Sequence, residues 1–185
     1  MLKGFAAGLI GGLTATWVMG HFMAFMKKKM VSPGGGQAAE ERSTPTRSSR
    51  KPGERERSVQ EHDGEGQPDP TVMVAEVISE KIFHHELSVE KEKQVSGPLV
   101  HYAFGAGMGG LYGAAAEVTP VVTAWDGMCF GTAVWLGADE IALPALHLSK
   151  PPQEYPLSLH TSALLAHWVY GFVTEVVRGT VRSVL

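Results

Sequence analysis

The sequence has a single cysteine, Cys129, and no excess of positive charge. One cysteine forms no disulfide within the chain and supplies no multi-cysteine metal site. The net charge of -3 argues against a nucleic-acid-binding protein, for which a basic face is expected. The chain also lacks a phosphate-binding GxxxxGK[ST] loop and shows no nucleophile placed beside a base. These absences predict a protein that is not an enzyme and that binds no nucleic acid.

Long apolar blocks are present, although the mean hydropathy of the whole chain is close to zero. The block at residues 99–118 contains no charged residue between His101 and Glu117. About 20 apolar residues cross a hydrocarbon core that is about 30 Å thick, so this block is predicted to span a membrane. Three other blocks are interpreted in the same way. The predicted transmembrane helices are residues 3–28, 98–118, 121–148 and 157–182.

Glycines recur at every fourth position in these blocks, the GxxxG spacing that places them on one helical face. Such a face lets two membrane helices approach until their backbones touch. We expect the glycines of the first helix to pack against those of the second. Because glycine-lined faces lie on three of the helices, we also expect one of them to receive a helix of another chain. The glycines are Gly4, Gly8, Gly12, Gly105, Gly109, Gly113, Gly127 and Gly131.

A polar insert, residues 31–70, separates the first helix from the others. It contains no aromatic residue and almost nothing apolar, so it buries too little surface to offset its ordering entropy and is predicted to be flexible. Residues 71–92 carry apolar side chains at helical spacing but too many charges to span, which predicts an amphipathic helix on the membrane surface or against the bundle. The predicted fold class is therefore an all-α integral membrane protein.

Ionisable side chains within the apolar blocks are the candidate functional residues. A charge near the centre of a membrane helix costs about 2.5 to 3.5 kcal/mol on insertion scales, so these side chains should face other helices or water. In α-helical geometry Asp126 and Glu140 share a face, whereas Asp139 is displaced by about 100°. The residues predicted to be buried polar side chains, and a possible proton path, are His21, His101, Glu117, Asp126, Asp139, Glu140, His160, His167, Glu175 and Arg178.

Three functions remain open for these side chains. In the first, they pair across helices in a non-catalytic scaffold, accessory subunit or homo-oligomer that is held together by its glycine-lined faces. In the second, histidines and carboxylates conduct protons or another cation, or respond to pH. In the third, His101 binds haem or a metal together with His160 or His167. The first two need no cofactor, and the expected partners are the lipid bilayer and this or another membrane protein.

Lysine and arginine near the helix ends predict the orientation in the membrane, because cytoplasmic segments carry more of them. The side of the insert has residues 27–29, Lys91, Lys93 and Lys150, whereas the other side has Lys3, Arg178 and Arg182. The insert is therefore predicted to be cytoplasmic, with both ends of the chain on the periplasmic or outer side.

Four segments together resemble the YagU-like inner-membrane proteins, a bacterial family of unknown function. The segments are GFAAGLIGGLTATWVMG, HYAFGAGMGGLYGAAAEVTP, WDGMCFGTAVWLGADEIALP and HWVYGFVTEVVRG. The resemblance covers all four predicted spans but not the insert, which we interpret as an addition to this chain. It implies a small multi-pass protein of a bacterial inner membrane and implies no catalytic residues.

Overall fold

The computed structural model describes residues 1–30, 72–74, 77, 79 and 90–185. Within these residues the chain is helical and contains no β-strand. The predicted polar insert, residues 31–70, lies outside the described residues. Most of the predicted amphipathic helix, residues 71–92, lies outside them as well, although residues 72–74, 77 and 79 are helical. The all-helical fold class predicted from the sequence is confirmed for the described part of the chain.

Three long helices form most of the structure. Helix α1 is Leu2–Met30, α2 is Glu90–Val118, and the last helix, which we call α4, is Leu157–Val184. The second helix begins well before the predicted residue 98, and Pro98 lies inside it. The prediction placed its start at the first apolar residue. The polar residues before that point include Glu, Lys and Gln, which are good helix formers and extend the helix beyond the apolar block.

The predicted third helix, residues 121–148, is shorter than expected and changes geometry along its length. Pro120–Gly127 is a 3₁₀ segment interrupted by non-helical residues. Helix α3, residues 128–145, follows with an α-helical part Met128–Val134, a π-helical part Trp135–Ala142 and a last turn Leu143–Ala145. It cannot begin earlier because residues 125–127 have positive φ angles, which a right-handed helix does not accept.

The four helices alternate in direction. Helix α1 packs against α2 and α4, and α4 packs against α3. Met1 contacts Glu117, and Lys3 donates a hydrogen bond to the backbone oxygen of Leu185. We therefore call the end with residues 1–4, 117–127 and 178–185 the terminal end of the bundle. The opposite end, with residues 27–30, 90–98 and 140–160, is the insert end.

Small and polar side chains fill the interior, whereas many large apolar side chains lie outside. The fully or almost fully buried residues include Ala7, Ala15, Thr16, Ala166 and Thr174. A cluster of buried larger side chains, including Met19, Val134 and Tyr170, completes the core. This arrangement is the reverse of a soluble bundle, in which the largest apolar side chains are those most often buried.

Among the described residues, one helix, Leu2–Lys29, is long and apolar enough to cross a membrane by length and composition. Glycine is nearly neutral in hydropathy, so the many glycines of α2 lower its average, and histidine and charged residues do the same in α4. Length and composition alone thus identify one of the four spans predicted from the sequence.

Candidate functional site

The glycines of α1 and α2 form the contact surface between these two helices. A Cβ atom added at Gly8 would overlap the carbonyl oxygen of Gly109, so backbone meets backbone there. Any side chain at these positions would push the helices apart. The opposing pairs are Gly4 with Gly113, Gly8 with Gly109, and Gly12 with Gly105.

A second glycine contact joins α3 to α4. A Cβ added at Gly127 would overlap the carbonyl oxygen of Gly171, and one added at Gly131 would overlap that of His167. Gly171 was not predicted as a packing glycine, because histidine and glutamate stand four residues before and after it and no glycine repeat marks it. The predicted glycine faces are thus filled by helices of the same chain, which leaves none of them open for the second chain that we expected there.

Tyr112, Glu175 and Arg178 form a hydrogen-bonded group between α2 and α4, which we call the Glu175 cluster. The Glu175 carboxylate accepts hydrogen bonds from the Tyr112 hydroxyl at 2.7 Å and from Arg178 Nε and Nη2 at 2.7 and 2.6 Å. The guanidinium also lies over the Tyr112 ring, 5.9 Å from its centroid. Each charge therefore has a partner inside the bundle. Tyr112 was not predicted, because a single tyrosine beside a glycine carries no distinctive spacing.

A second ion pair lies closer to the tip of the terminal end. Arg182 donates through Nε to Glu117 Oε1 and through Nη2 to Glu117 Oε2 at 3.2 Å. The amino group of Met1 is 3.6 Å from the same carboxylate. Arg182 is more exposed than Arg178, so this pair is the more hydrated of the two. Together the two groups link the ends of α1, α2 and α4.

The π-helical part of α3 carries the two adjacent carboxylates at the insert end. Glu140 Oε1 is 2.7 Å from His160 Nδ1, and Asp139 Oδ2 is 3.8 Å from His167 Nε2. We call these four residues the His-carboxylate ladder. A π-helix has a wider turn than an α-helix, so neighbouring residues are separated by less than about 100° and both carboxylates reach α4. The displacement of about 100° expected between Asp139 and Glu140 assumed an α-helix, whereas Trp135–Ala142 is π-helical.

His160 lies between two hydrogen-bond acceptors. Its Nδ1 is 2.7 Å from Glu140 Oε1, and its Nε2 is 3.0 Å from the carbonyl oxygen of Pro152. A neutral imidazole has one N–H and can donate to only one of these acceptors, whereas the imidazolium ion donates to both. The geometry therefore fits the protonated ring. In that form His160 donates to Glu140 in the π-helical segment and to Pro152 in the connection between α3 and α4, and so links the two.

We expect the connection at residues 150–156 to be held more firmly at about pH 5 than at about pH 8, since the imidazolium is lost as the pH rises. The protection factors of the Glu154 and Tyr155 amides, which bond to the carbonyls of Pro151 and Pro152, measure this, because they divide out the intrinsic pH dependence of hydrogen exchange. Glu140→Gln should remove most of the difference in protection between the two pH values, because a neutral amide no longer favours the charged ring. Glu154→Gln, an exposed charge in the same connection, is the matched control. Equal protection factors at both pH values in the unaltered protein would contradict the interpretation.

Two of the predicted polar residues do not lie inside the bundle. His21 is exposed on α1, with its Nδ1 2.9 Å from the carbonyl oxygen of Trp17 in the same helix. Asp126 is also exposed, because it belongs to the left-handed turn before α3 and not to a helix. The expectation that these two are buried was wrong. His101 is half-buried on α2, with its ring edge-on to that of Tyr102.

The polar groups of the two ends are separated from each other along α4. His167 is 8% exposed, and Glu175 lies about 12 Å further along the helix. Between them, Tyr170 donates to the carbonyl oxygen of Gly105 at 2.6 Å, and Thr174 donates to that of Tyr170 at 2.8 Å. Because both hydroxyls bond to backbone carbonyls, the described side chains form no continuous hydrogen-bond chain between the two ends.

The described histidines form no cluster of side chains that could hold a metal ion. In the part of the chain that the structure describes, no three His, Cys, Asp or Glu side chains are close enough together to hold a metal ion. Both ring nitrogens of His160 are hydrogen-bonded, and Nδ1 of His167 is 2.9 Å from the carbonyl oxygen of Ala163. The remaining nitrogen of His167 faces Asp139.

The chain was compared with known protein families. Residues 36–176 match a family described as "Protein of unknown function (DUF1440)". The match begins inside the predicted insert and leaves out α1, so its extent differs from that of the resemblance found in the sequence, which covered α1 and not the insert. No curated protein and no solved structure matches the chain.

Proposed function

We propose that the chain, which belongs to the DUF1440 family of proteins of unknown function, crosses a membrane four times and acts there as a non-catalytic structural subunit. The observation that carries this proposal is the distribution of side chains, with small and polar groups inside the bundle and large apolar groups outside it. The bacterial inner membrane, the YagU-like resemblance and a cytoplasmic insert are parts of the same proposal.

Every helix exposes large apolar side chains on the outside of the bundle. Examples, one from each helix in order, are Leu13, Leu111, Leu136 and Phe172, each at least 45% exposed. In water a surface of this kind would drive aggregation, whereas in a bilayer it faces lipid chains of the same polarity. The interior supports the same view, because contacts through glycine, alanine and threonine are typical of membrane helices.

The lengths and charges of the helices are compatible with a bilayer. Helices α1, α2 and α4 have 29, 29 and 28 residues, more than the roughly 20 that cross the hydrocarbon core. Residues 128–145 of α3 extend about 25 Å, close to the thickness of that core. Lysines at residues 27–29 lie at the insert end, and Arg178 and Arg182 lie at the terminal end.

A structural role is favoured over conduction because the polar groups are paired within the chain. Within the Glu175 cluster and within the Glu117–Arg182 pair, each charge is hydrogen-bonded to a partner of the same group. The hydroxyls between His167 and Glu175 bond to the backbone. Since the glycine faces are filled internally, association with another membrane protein would use the exposed apolar surface. This proposal replaces the expectation that a glycine face binds the partner.

Labelling of single cysteines tests the four-span arrangement. In a Cys129→Ser background, Ser48→Cys lies in the insert, Thr119→Cys in the connection between α2 and α3, and Ser149→Cys in the connection between α3 and α4. We expect a membrane-impermeant maleimide to label position 119 in intact cells, and positions 48 and 149 only after lysis. Recovery of the protein in the soluble fraction, or labelling of all three positions in intact cells, would contradict four spans.

A second candidate function is a response to pH at the insert end. It is favoured by one observation, the position of His160 between two acceptors that only the imidazolium can satisfy together. Protonation would then change how firmly residues 150–156 are held against α3, next to the segment that leads into α4. The hydrogen-exchange comparison with Glu140→Gln tests this candidate directly.

A further inference from the structure

The connection between α2 and α3 contains a left-handed turn for which the proposed function gives no reason. Trp125, Asp126 and Gly127 have φ angles of 56°, 50° and 82°. Residues with side chains rarely adopt this conformation, because the Cβ atom approaches the following carbonyl oxygen. Two of them in succession indicate a backbone conformation that the surrounding structure imposes.

Gly127 holds this turn against α4. It is buried, and a Cβ added there would overlap the carbonyl oxygen of Gly171 and lie 3.1 Å from the Cβ of Glu175. The backbone N–H of Met128 also bonds to the carbonyl oxygen of Trp125 and closes the turn. The base of the turn is therefore held against α4, and its backbone sets the direction of the Cα–Cβ bond of Trp125.

The turn presents an apolar surface, the tip, made of Val118, Val121 and Trp125. Trp125 is 75% exposed and Val121 is 78% exposed. The Trp125 indole makes no hydrogen bond and no ring contact with any residue that the structure describes. The strained turn thus leaves the Trp125 side chain exposed and not packed against the helices of the bundle.

The tip lies where the bundle changes from apolar to charged side chains. Val118 follows Glu117, the partner of Arg182, and the base of the turn touches Glu175. If the helices span a bilayer, this level is the boundary between hydrocarbon and water. Tryptophan is enriched there because its ring is apolar while its N–H remains hydrated.

We infer that the tip binds the phospholipid interface, with the Trp125 ring in the headgroup region, and thereby fixes the depth of the bundle in the bilayer. The inference rests on the proposed four-span arrangement. A protein partner fits this surface less well, because three side chains are far fewer than the 20 to 30 residues per side of a typical stable interface.

Depth-dependent quenching of tryptophan fluorescence tests the inference. The chain has four tryptophans, and replacing Trp17, Trp135 and Trp168 with phenylalanine leaves Trp125 alone. A matched variant keeps only Trp17, which lies midway along α1 and is 55% exposed. Both full-length proteins are reconstituted in phosphatidylcholine vesicles that carry a nitroxide either on the headgroup or deep in the acyl chain. We expect Trp125 to be quenched at least twofold more by the headgroup label, and Trp17 more by the acyl label.

The two proposals fail in distinguishable ways. If Trp17 is quenched by the acyl label and Trp125 by neither label, the tip faces water or a protein and the inference is wrong. The proposal of four membrane-spanning helices is unaffected by that result. Stronger quenching of Trp125 by the acyl label also overturns it. If neither tryptophan is quenched, the membrane proposal itself fails. If the triple variants do not fold, the unaltered protein is compared with the Trp125→Phe variant in the same vesicles. The quenching by each label that is lost in this variant is the quenching of Trp125.

Discussion

Gly109→Ala should prevent α1 and α2 from packing, whereas Gly107→Ala on the same helix should preserve the fold or stabilise it. A Cβ at Gly109 would lie 2.5 Å from the carbonyl oxygen of Gly8 and 2.7 Å from the Cα of Gly12. These are backbone atoms, so the helices must separate. We expect a loss greater than the roughly 1 to 3 kcal/mol of ordinary overpacking. A Cβ at Gly107 meets nothing within 4 Å, so alanine should gain up to about 1 kcal/mol from its helix propensity.

Thermal unfolding of the two purified variants in the same detergent measures this difference, with size-exclusion chromatography as a check for aggregation. The pair is closely matched, because the substitution and the helix are the same and the two positions face different sides. Equal midpoints for both variants would show that the glycine contact between α1 and α2 does not hold the bundle together. Gly109→Leu should be more severe still, since a larger side chain separates the helices further.

Glycine spacing in the sequence indicated the contact between α1 and α2 because the signal is periodic. The glycines of each helix recur at every fourth position, and the structure places the two sets against each other. The contact between α3 and α4 depends on Gly171, which has no glycine at the same spacing on its own helix. A single glycine in an apolar helix has many explanations, so its role could be recognised only from the packing.

The changes in helix geometry within residues 121–148 could not be predicted. The segment Trp135–Ala142 is π-helical, but its residues are no less apolar than those of an α-helical span. Only the angle between successive side chains differs, so the spacing of apolar residues does not predict the π-helix. For the same reason the pairing of Asp139 and Glu140 with His167 and His160 was not foreseen. Of the residues in the left-handed turn, Gly127 signals a positive φ most clearly and Asp126 only weakly, whereas Trp125 gives no such signal.

Arg178→Met should destabilise the protein strongly, and Arg182→Met, one turn further along α4, should have only a small effect. The Arg178 and Glu175 side chains are 12% and 17% exposed, and the Arg178 guanidinium satisfies both carboxylate oxygens of Glu175. Removal of one partner leaves the other charge unpaired in the bundle, which costs about 3 to 5 kcal/mol for a buried pair. Arg182 makes a similar contact with Glu117 but is itself 37% exposed. The Met1 amino group, 3.6 Å from the Glu117 carboxylate, also remains as a second cationic partner when Arg182 is removed.

The double variant Glu175→Gln with Arg178→Met should recover most of the stability lost in Arg178→Met alone. Glutamine carries no charge and can still accept the hydrogen bond from the Tyr112 hydroxyl, whereas methionine fills part of the volume of the arginine side chain. Thermal unfolding of the single and double variants in detergent gives the coupling between the two residues. If Arg178→Met and the double variant were equally unstable, the loss would come from the packing of the arginine side chain. Recovery in the double variant would instead show that the unpaired Glu175 carboxylate is the cause, as expected for a charge that the bundle keeps from water.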